Sequence, residues 1–215
     1  MKNIIVPALL EKHEAGLIAK LQKLKLVAKR IQIDIADHTF VRNSTLDLKR
    51  IRSLPRGIKP EIHLMVKHPG EHLGQCHRLK AALVIAHIEA FPGMEGLHEF
   101  IAKAKRLKLK IGLALNPETP SRFVEPYLPF LDSVMFMGVH PGFQNQQFIF
   151  STIKRIRKFR KSHPKVFIEV DGGIKKGIAK KAVKAGANGI VIGSAIVSQK
   201  DIKAAIQEFK KEISH

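Results

Sequence analysis

The stretch VFIEVDGGIKKGIAKKAVKAGANGIVIGS, Val166 to Ser194, decides the fold. It opens with an apolar run, Val166–Val170, and turns at Asp171-Gly172-Gly173. From Lys175 to Ala185 the apolar residues recur at helical spacing, with Ala179, Ala182 and Val183 on one side. Gly186 then stops the helix, because glycine takes the left-handed conformation that closes a last turn. A second apolar run follows at Gly189–Ile192, ending in Gly193-Ser194. The order is strand, turn, amphipathic helix, strand.

Outward from this unit the same order recurs. Six further apolar runs precede it: Asn3–Ala8, Arg30–Ile35, Glu61–Met65, Ala82–His87, Lys110–Leu115 and Ser133–Gly138. They are rich in Ile, Val and Leu with little alternation, as expected when both faces of a parallel sheet are buried. Phe150–Ser162 carries Ile153, Ile156 and Phe159 on one side and basic residues elsewhere, and Pro164 ends it. Asp201–Ile213 repeats the pattern with Ile202, Ala205, Ile206 and Phe209. Between the fifth and sixth strands Pro120, Pro126 and Pro129 permit only short helical pieces. Eight strands alternating with about eight helices, and no Gly/Ser linker, predict an α/β fold: one (β/α)8 TIM barrel over residues 1–215. Such barrels usually run to about 250 residues, so the loops here are short. A doubly wound open sheet is the alternative, but no G-x-G-x-x-G follows the first strand.

Lys and Arg number 38 against 18 Asp and Glu, a formal charge of +20. That field suits phosphorylated metabolites, nucleic acid or anionic lipid. The basic run Lys154–Lys161 reads as a solvated outer helix face. With no Trp and one Tyr, base stacking is poorly supplied. Nucleic acid is therefore expected to bind only non-specifically, with a steep salt dependence. No apolar run approaches the roughly 20 residues of a membrane span. The N-terminus lacks a secretory pattern. Cys76 stands alone, which excludes a disulfide framework and a Cys-rich zinc site. The expectation is a soluble cytoplasmic protein.

In a barrel, chemistry gathers where strands run into their following loops. Asp34 and Asp171 both interrupt apolar strands at such ends, where an unpaired carboxylate is costly. Gln32, Asp34 and Ala36 share a face, because strand residues alternate. With His63 they place two carboxylates, an imidazole and an amide toward one pocket, suited to acid–base work, metal ligation or both. Singly, each aspartate reads better as a cap. Together, at the ends of strands two, three and seven, they read as a site. Gly142, Gly172, Gly173 and Gly193 follow strands six, seven and eight, where backbone N–H groups can cradle a phosphate. His68, His72 and Cys76, spaced at i, i+4 and i+8, read as a solvated helix stripe before a metal site. His13, His98, His163 and His215 read as surface residues.

These motifs resemble the ribulose-phosphate 3-epimerase family along nearly the whole chain. The resemblance rests on Asp34 with Asp37, Phe40, Val41 and Asn43, then on Ile62-His63-Leu64-Met65 with Pro69. It continues through Leu115-Asn116-Pro117 with Thr119-Pro120, and Val139 with Pro141-Gly142-Phe143 and Phe148. Ile168-Glu169-Val170-Asp171-Gly172-Gly173 and Gly193-Ser194-Ala195 complete it. The resemblance implies a TIM barrel that moves a proton next to the ketone of a ketose phosphate, ribulose 5-phosphate to xylulose 5-phosphate being the leading case. It implies Asp34 and Asp171 as acid and base. It also implies a divalent metal (zinc, iron or manganese) on Asp34, His63, Asp171 and the position of Gln32. It implies substrate contacts from Met65, Gly142, Phe143, Gln144, Gly172, Gly173, Gly193 and Ser194, and a homo-oligomer.

The departures from the family fall on the catalytic face. Gln32 stands where the family has its first metal histidine, Ala8 where it has a serine, and Ala36 where it has a methionine. His38-Thr39 replaces a Gly-His pair, and Gln144-Asn145 replaces Gly-Gly. An amide oxygen is a weaker and harder ligand than imidazole and suits zinc less well. The alternative readings are a phosphosugar-binding paralogue with a degraded metal site and an epimerase for another ketose phosphate.

Overall fold

The structure, a computed structural model, describes residues 3–214. Eight parallel strands close into a barrel in sequence order. They are β1 (Ile4–Leu9), β2 (Arg30–Ala36), β3 (Lys59–Met65), β4 (Leu83–His87), β5 (Ile111–Leu115), β6 (Ser133–Met137), β7 (Ile168–Asp171) and β8 (Gly189–Ile192). The expected strands lie within about two residues of these bounds. Lumen-facing Val6, Ala8, Leu83, Ile85, Ala114, Met135, Met137 and Val191 form an inner cluster. The alternate positions, among them Ile33, Ile62, Val84, Val170 and Ile190, join the main core. Burial on both faces is why the strands read as unbroken apolar runs.

Helices α1 (Glu14–Leu24), α2 (Leu73–Arg78), α3 (Met94–Arg106), α4 (Ser151–Ser162), α5 (Ile178–Ala185), α6 (Ser194–Val197) and α7 (Ile202–Ile213) fill most connections. α4 buries Ile153, Ile156 and Phe159 as its spacing requires, with Thr152 beside them. α7 starts where Asp201 accepts a hydrogen bond from the Ala204 N–H, an N-cap. α5 is shorter than its periodicity suggests: it begins after Gly177, whose φ of 82° is left-handed. It ends at Gly186, as expected, where the Arg160 guanidinium donates to the glycine carbonyl (2.8 and 3.0 Å). Two connections lack an α-helix. Between β5 and β6 there are only 3-10 turns, Ser121–Phe123 and Glu125–Phe130, because prolines withhold the N–H groups of a longer helix. Between β2 and β3 there is one 3-10 turn, Leu48–Arg50, which the apolar pattern did not reveal.

The His68–Cys76 stripe is a correction. The chain passes from a 3-10 turn, Pro69–His72, into α2, so the three residues share no face. Cys76 is buried in the core rather than solvated, and burial pushes its thiol up to about 12. His13 and His98 are exposed, while His163 is half-buried against Phe159, with ring centroids 4.4 Å apart. His215 lies outside the described residues. Among the described residues no helix is long and apolar enough to cross a membrane.

At the N-terminal end of the barrel two carboxylates, Glu61 and Glu169, are fully buried. Arg30 bridges them, bonding Glu61 through Nε and Glu169 through Nη2 (3.2 Å). Burial, and then the Glu61 charge, push Glu169 up to about 8. The folded state therefore holds a proton that the unfolded chain releases near 4.5. Its stabilising contribution is complete below that value and is lost as pH rises towards 8. We expect the free energy of unfolding to fall across this window, by at most about 1.4 kcal/mol per pH unit for one proton. Urea titrations at several pH values check it, and Glu169→Gln is expected to flatten the slope.

Candidate active site

At the C-terminal end of the strands the barrel opens into a cavity of about 500 Å³. Asp34, His63 and Asp171 line its floor. Parallel register sets Asp34 on β2 beside His63 on β3. Asp171 arrives from β7, three strands round the barrel from β2. All three are buried. Each offers one ligand atom, and these lie within 4.8 Å of one another. His63 Nδ1 stands 3.2 Å from Asp34 Oδ1 and 3.4 Å from Asp171 Oδ2. Burial pushes the Asp34 carboxyl up, and the Asp171 charge adds to that, against the pull of His63. For His63, burial alone lowers the imidazole. Hydrogen bonds and charge from Asp171 and Asp34 outweigh it and carry the ring up to about 9.

Gln32 lies beneath the floor, fully buried. Its Nε2 donates to Asp34 Oδ1 (2.8 Å) and to Asp171 Oδ2 (2.7 Å), and stands 3.3 Å from His63 Nδ1. Its Oε1 is buried without a partner. The shared face of Gln32 and Asp34 is as the strand period required. The bridging of two distant carboxylates by one amide was not foreseen.

Two residues that the sequence reading left unassigned support His63 from behind. His63 Nε2 lies 2.9 Å from His87 Nε2, with the ring centroids 5.0 Å apart and the planes within 20° of each other, so the rings meet end to end. Burial keeps His87 low, hence neutral, so it accepts the N–H of His63. His87 Nδ1 in turn faces Glu89 Oε2 at 3.4 Å. Glu89 Oε1 accepts from the Asn116 N–H (2.7 Å) and the Thr119 hydroxyl. This chain turns His63 Nδ1 toward the cavity, the arrangement that orients histidine ligands in metal sites. The available signal was an imidazole interrupting the apolar run of β4.

The far wall of the cavity is made by Gly142, Phe143, Gln144, Gly172, Gly173, Gly193 and Ser194, with Met65 on the β3 side. Gly172 and Gly173 adopt φ of 97° and 69°. A Cβ on Gly172 would stand 2.4 Å from Val139 Cγ2, and one on Gly173 2.9 Å from the Phe148 backbone. Only glycine fits there, and the bare backbone is left facing the cavity. Asn145, where the resemblance places a glycine, takes a left-handed φ of 63°, asparagine being among the few residues that reach it. His38, likewise in a glycine position of the family, sits at φ 67°. Asn43 Nδ2 donates to the Gly142 carbonyl (2.6 Å), tying the loop after β2 to the cradle. Asp37 accepts from Thr39 and Phe40 (2.9 Å each) and from Lys67 (2.8 Å), which orders the same loop. Lys175 also lines the cavity and was missed by the motif reading.

The donor set fits a divalent cation. Two carboxylates and an imidazole converge, and the second ring nitrogen of His63 is already occupied. The chain matches the model of the ribulose-phosphate 3 epimerase family over residues 4–197. It is 34% identical to the ribulose-phosphate 3-epimerase of Bacillus subtilis (strain 168), covering 96% of this chain and 97% of the relative. It is also 34% identical to the chloroplastic ribulose-5-phosphate-3-epimerase of Arabidopsis thaliana, over 96% of this chain and 76% of that one. Among solved structures, 3-hexulose-6-phosphate synthase from Salmonella typhimurium superposes with a TM-score of 0.70 at 15% identity, over 100% of this chain and 99% of that chain. That likeness speaks to the barrel alone.

Proposed function

The chain belongs to the ribulose-phosphate 3-epimerase family, and on that premise we propose that it interconverts ribulose 5-phosphate and xylulose 5-phosphate by two-aspartate proton transfer at C3. One observation carries the reading: Asp34 and Asp171, from strands far apart in sequence, meet on the floor of one cavity whose opposite wall is glycine backbone. C3 is next to the ketone, so its proton is labile once charge on the ketone oxygen is offset.

In this reading Asp171 removes the C3 proton from one face. Asp34, whose carboxyl is pushed up by burial, delivers a proton to the other, and the reverse reaction exchanges the roles. A divalent cation (zinc, iron or manganese) held by Asp34, His63 and Asp171 supplies a Lewis acid for the ketone oxygen when bound. Gln32 weakens that site relative to a histidine. The cradle of Gly142, Phe143, Gln144, Gly172, Gly173, Gly193 and Ser194 holds the phosphate. Met65 packs against the sugar. The His87–Glu89 chain keeps the His63 ring in register with both carboxylates.

The test is solvent-deuterium incorporation at C3 of ribulose 5-phosphate, with and without added Mn²⁺, Fe²⁺ or Zn²⁺. Incorporation during turnover is the expected result. Binding of the sugar phosphate with no exchange under any of the metals overturns the activity and leaves a phosphosugar-binding protein.

A further inference from the structure

Gln32 occupies an unusual position for a neutral side chain. Its nitrogen sits where the three ligand atoms converge: 2.8 Å from Asp34, 2.7 Å from Asp171 and 3.3 Å from His63. An amide nitrogen has no lone pair to offer a cation, and both of its hydrogens are spent on the carboxylates. Meanwhile the amide oxygen, in a side chain of 0% exposure, faces no donor. Buried acceptors are rarely left so. Rotation of the carboxamide about its last bond exchanges nitrogen and oxygen within nearly the same volume. It turns the partnerless oxygen toward the three ligand atoms and removes the two hydrogen bonds from the carboxylates.

We propose that the Gln32 carboxamide is a two-position group. Its NH₂ holds Asp34 and Asp171 together in one position, and its Oε1 completes a four-ligand cation site in the other. The inference rests on the metal-assisted reading above and deepens it. Cation uptake here is coupled to an amide rotation, because the cation and the NH₂ compete for the same carboxylate oxygens. The completed set holds three oxygens and one nitrogen. It therefore favours harder cations such as Mn²⁺ over Zn²⁺ more than a set with two imidazoles does. The site also keeps its two like charges bridged by a donor, so the carboxylates stay positioned with or without a cation.

The experiment is made on the full chain, with no sugar phosphate present. Equilibrium dialysis measures Mn²⁺ and Zn²⁺ affinity for the wild-type protein, Gln32→His and Gln32→Met. Gln32→His is expected to tighten Zn²⁺ by about 100-fold while moving Mn²⁺ by less than about tenfold, and Gln32→Met to weaken Mn²⁺ by about 10–100-fold, the range typical of lost metal-site contacts. The side-chain NH₂ resonances of Gln32 in the wild-type protein give a second readout, with diamagnetic Zn²⁺ as the probe. They are expected to lose their protection from solvent exchange as the site fills. Unchanged Gln32 NH₂ signals at saturation overturn the proposal, as does Mn²⁺ binding by Gln32→Met equal to wild type. If Gln32→Met does not fold, the resonance experiment decides alone. Neither readout depends on turnover. Absence of deuterium exchange at C3 would therefore remove the epimerase reading and leave this one standing, and the converse also holds.

Discussion

Asp34→Asn and Asp171→Asn are each expected to abolish epimerisation while leaving different half-reactions intact. Each substitution keeps the shape of the side chain. At position 171 the amide oxygen still accepts from Gln32 Nε2, which bonds Asp171 at 2.7 Å. The barrel should therefore stand, and thermal melting is the control. What is lost is a group able to take or give a proton. A positioned acid or base contributes about 10²–10⁴-fold, so turnover should fall by that factor or more. The sharper expectation concerns exchange. If the two carboxylates work from opposite faces of C3, the remaining one can still wash deuterium into the epimer whose proton it faces. Asp34→Asn should therefore exchange one of ribulose 5-phosphate and xylulose 5-phosphate, and Asp171→Asn the other. ¹H NMR of each pure epimer in D₂O reads this directly. Two variants that exchange the same epimer, or either variant turning over within tenfold of wild type, would falsify the two-face assignment.

The second large effect is on stability. Arg30→Ala is expected to cost about 3 kcal/mol at pH 7, near the lower end of what removing one partner of a buried ion pair costs. The lower end applies because Arg30 keeps 29% side-chain exposure, whereas Glu61 and Glu169 have none. Without the guanidinium, the buried Glu61 carboxylate at the base of the barrel loses its cation, and the proton that Glu169 holds at this pH is its one compensation. The damage should be reversible from the other side: Glu61→Gln with Glu169→Gln in the Arg30→Ala background should recover most of the loss. Urea unfolding of the single, double and triple variants measures it. A triple variant no more stable than Arg30→Ala would mean that the cost comes from lost packing of the arginine side chain, whose guanidinium carbon lies 5.2 Å from the Phe167 ring centroid.

Both effects turn on groups that differ in how visible they were beforehand. Asp34 and Asp171 stood out because a carboxylate inside an apolar strand is costly unless it has a task. His63 and the glycines after β6, β7 and β8 stood out by their place at strand ends. Arg30, Glu61 and Glu169 are equally costly to bury, yet none was given a role, Glu169 being quoted only as part of the motif that ends in Asp171. They sit at the N-terminal end of the barrel, where no loop motif marks them. His87 and Glu89 end the fourth apolar run, but they belong to none of the motifs that carry the resemblance. The stripe His68–Cys76 misled for the opposite reason. Its spacing is helical, but Pro69 opens a 3-10 turn and breaks the face before α2 begins.

The order of apolar runs, prolines and glycines by itself determined the eight-stranded barrel, the end of it that carries chemistry, and the kind of side chain that reaches the floor. Those are consequences of local spacing and of the burial of both strand faces. Only the tertiary structure decided which atoms meet. Gln32 and Asp171 are 139 positions apart and form a 2.7 Å hydrogen bond. His63 meets His87 back to back on adjacent strands, two positions out of the register that pairs His63 with Ile85. Closure of the sheet sets these distances. A chain read residue by residue shows which groups are available, but the direction in which a buried amide points depends on neighbours that only the closed barrel supplies.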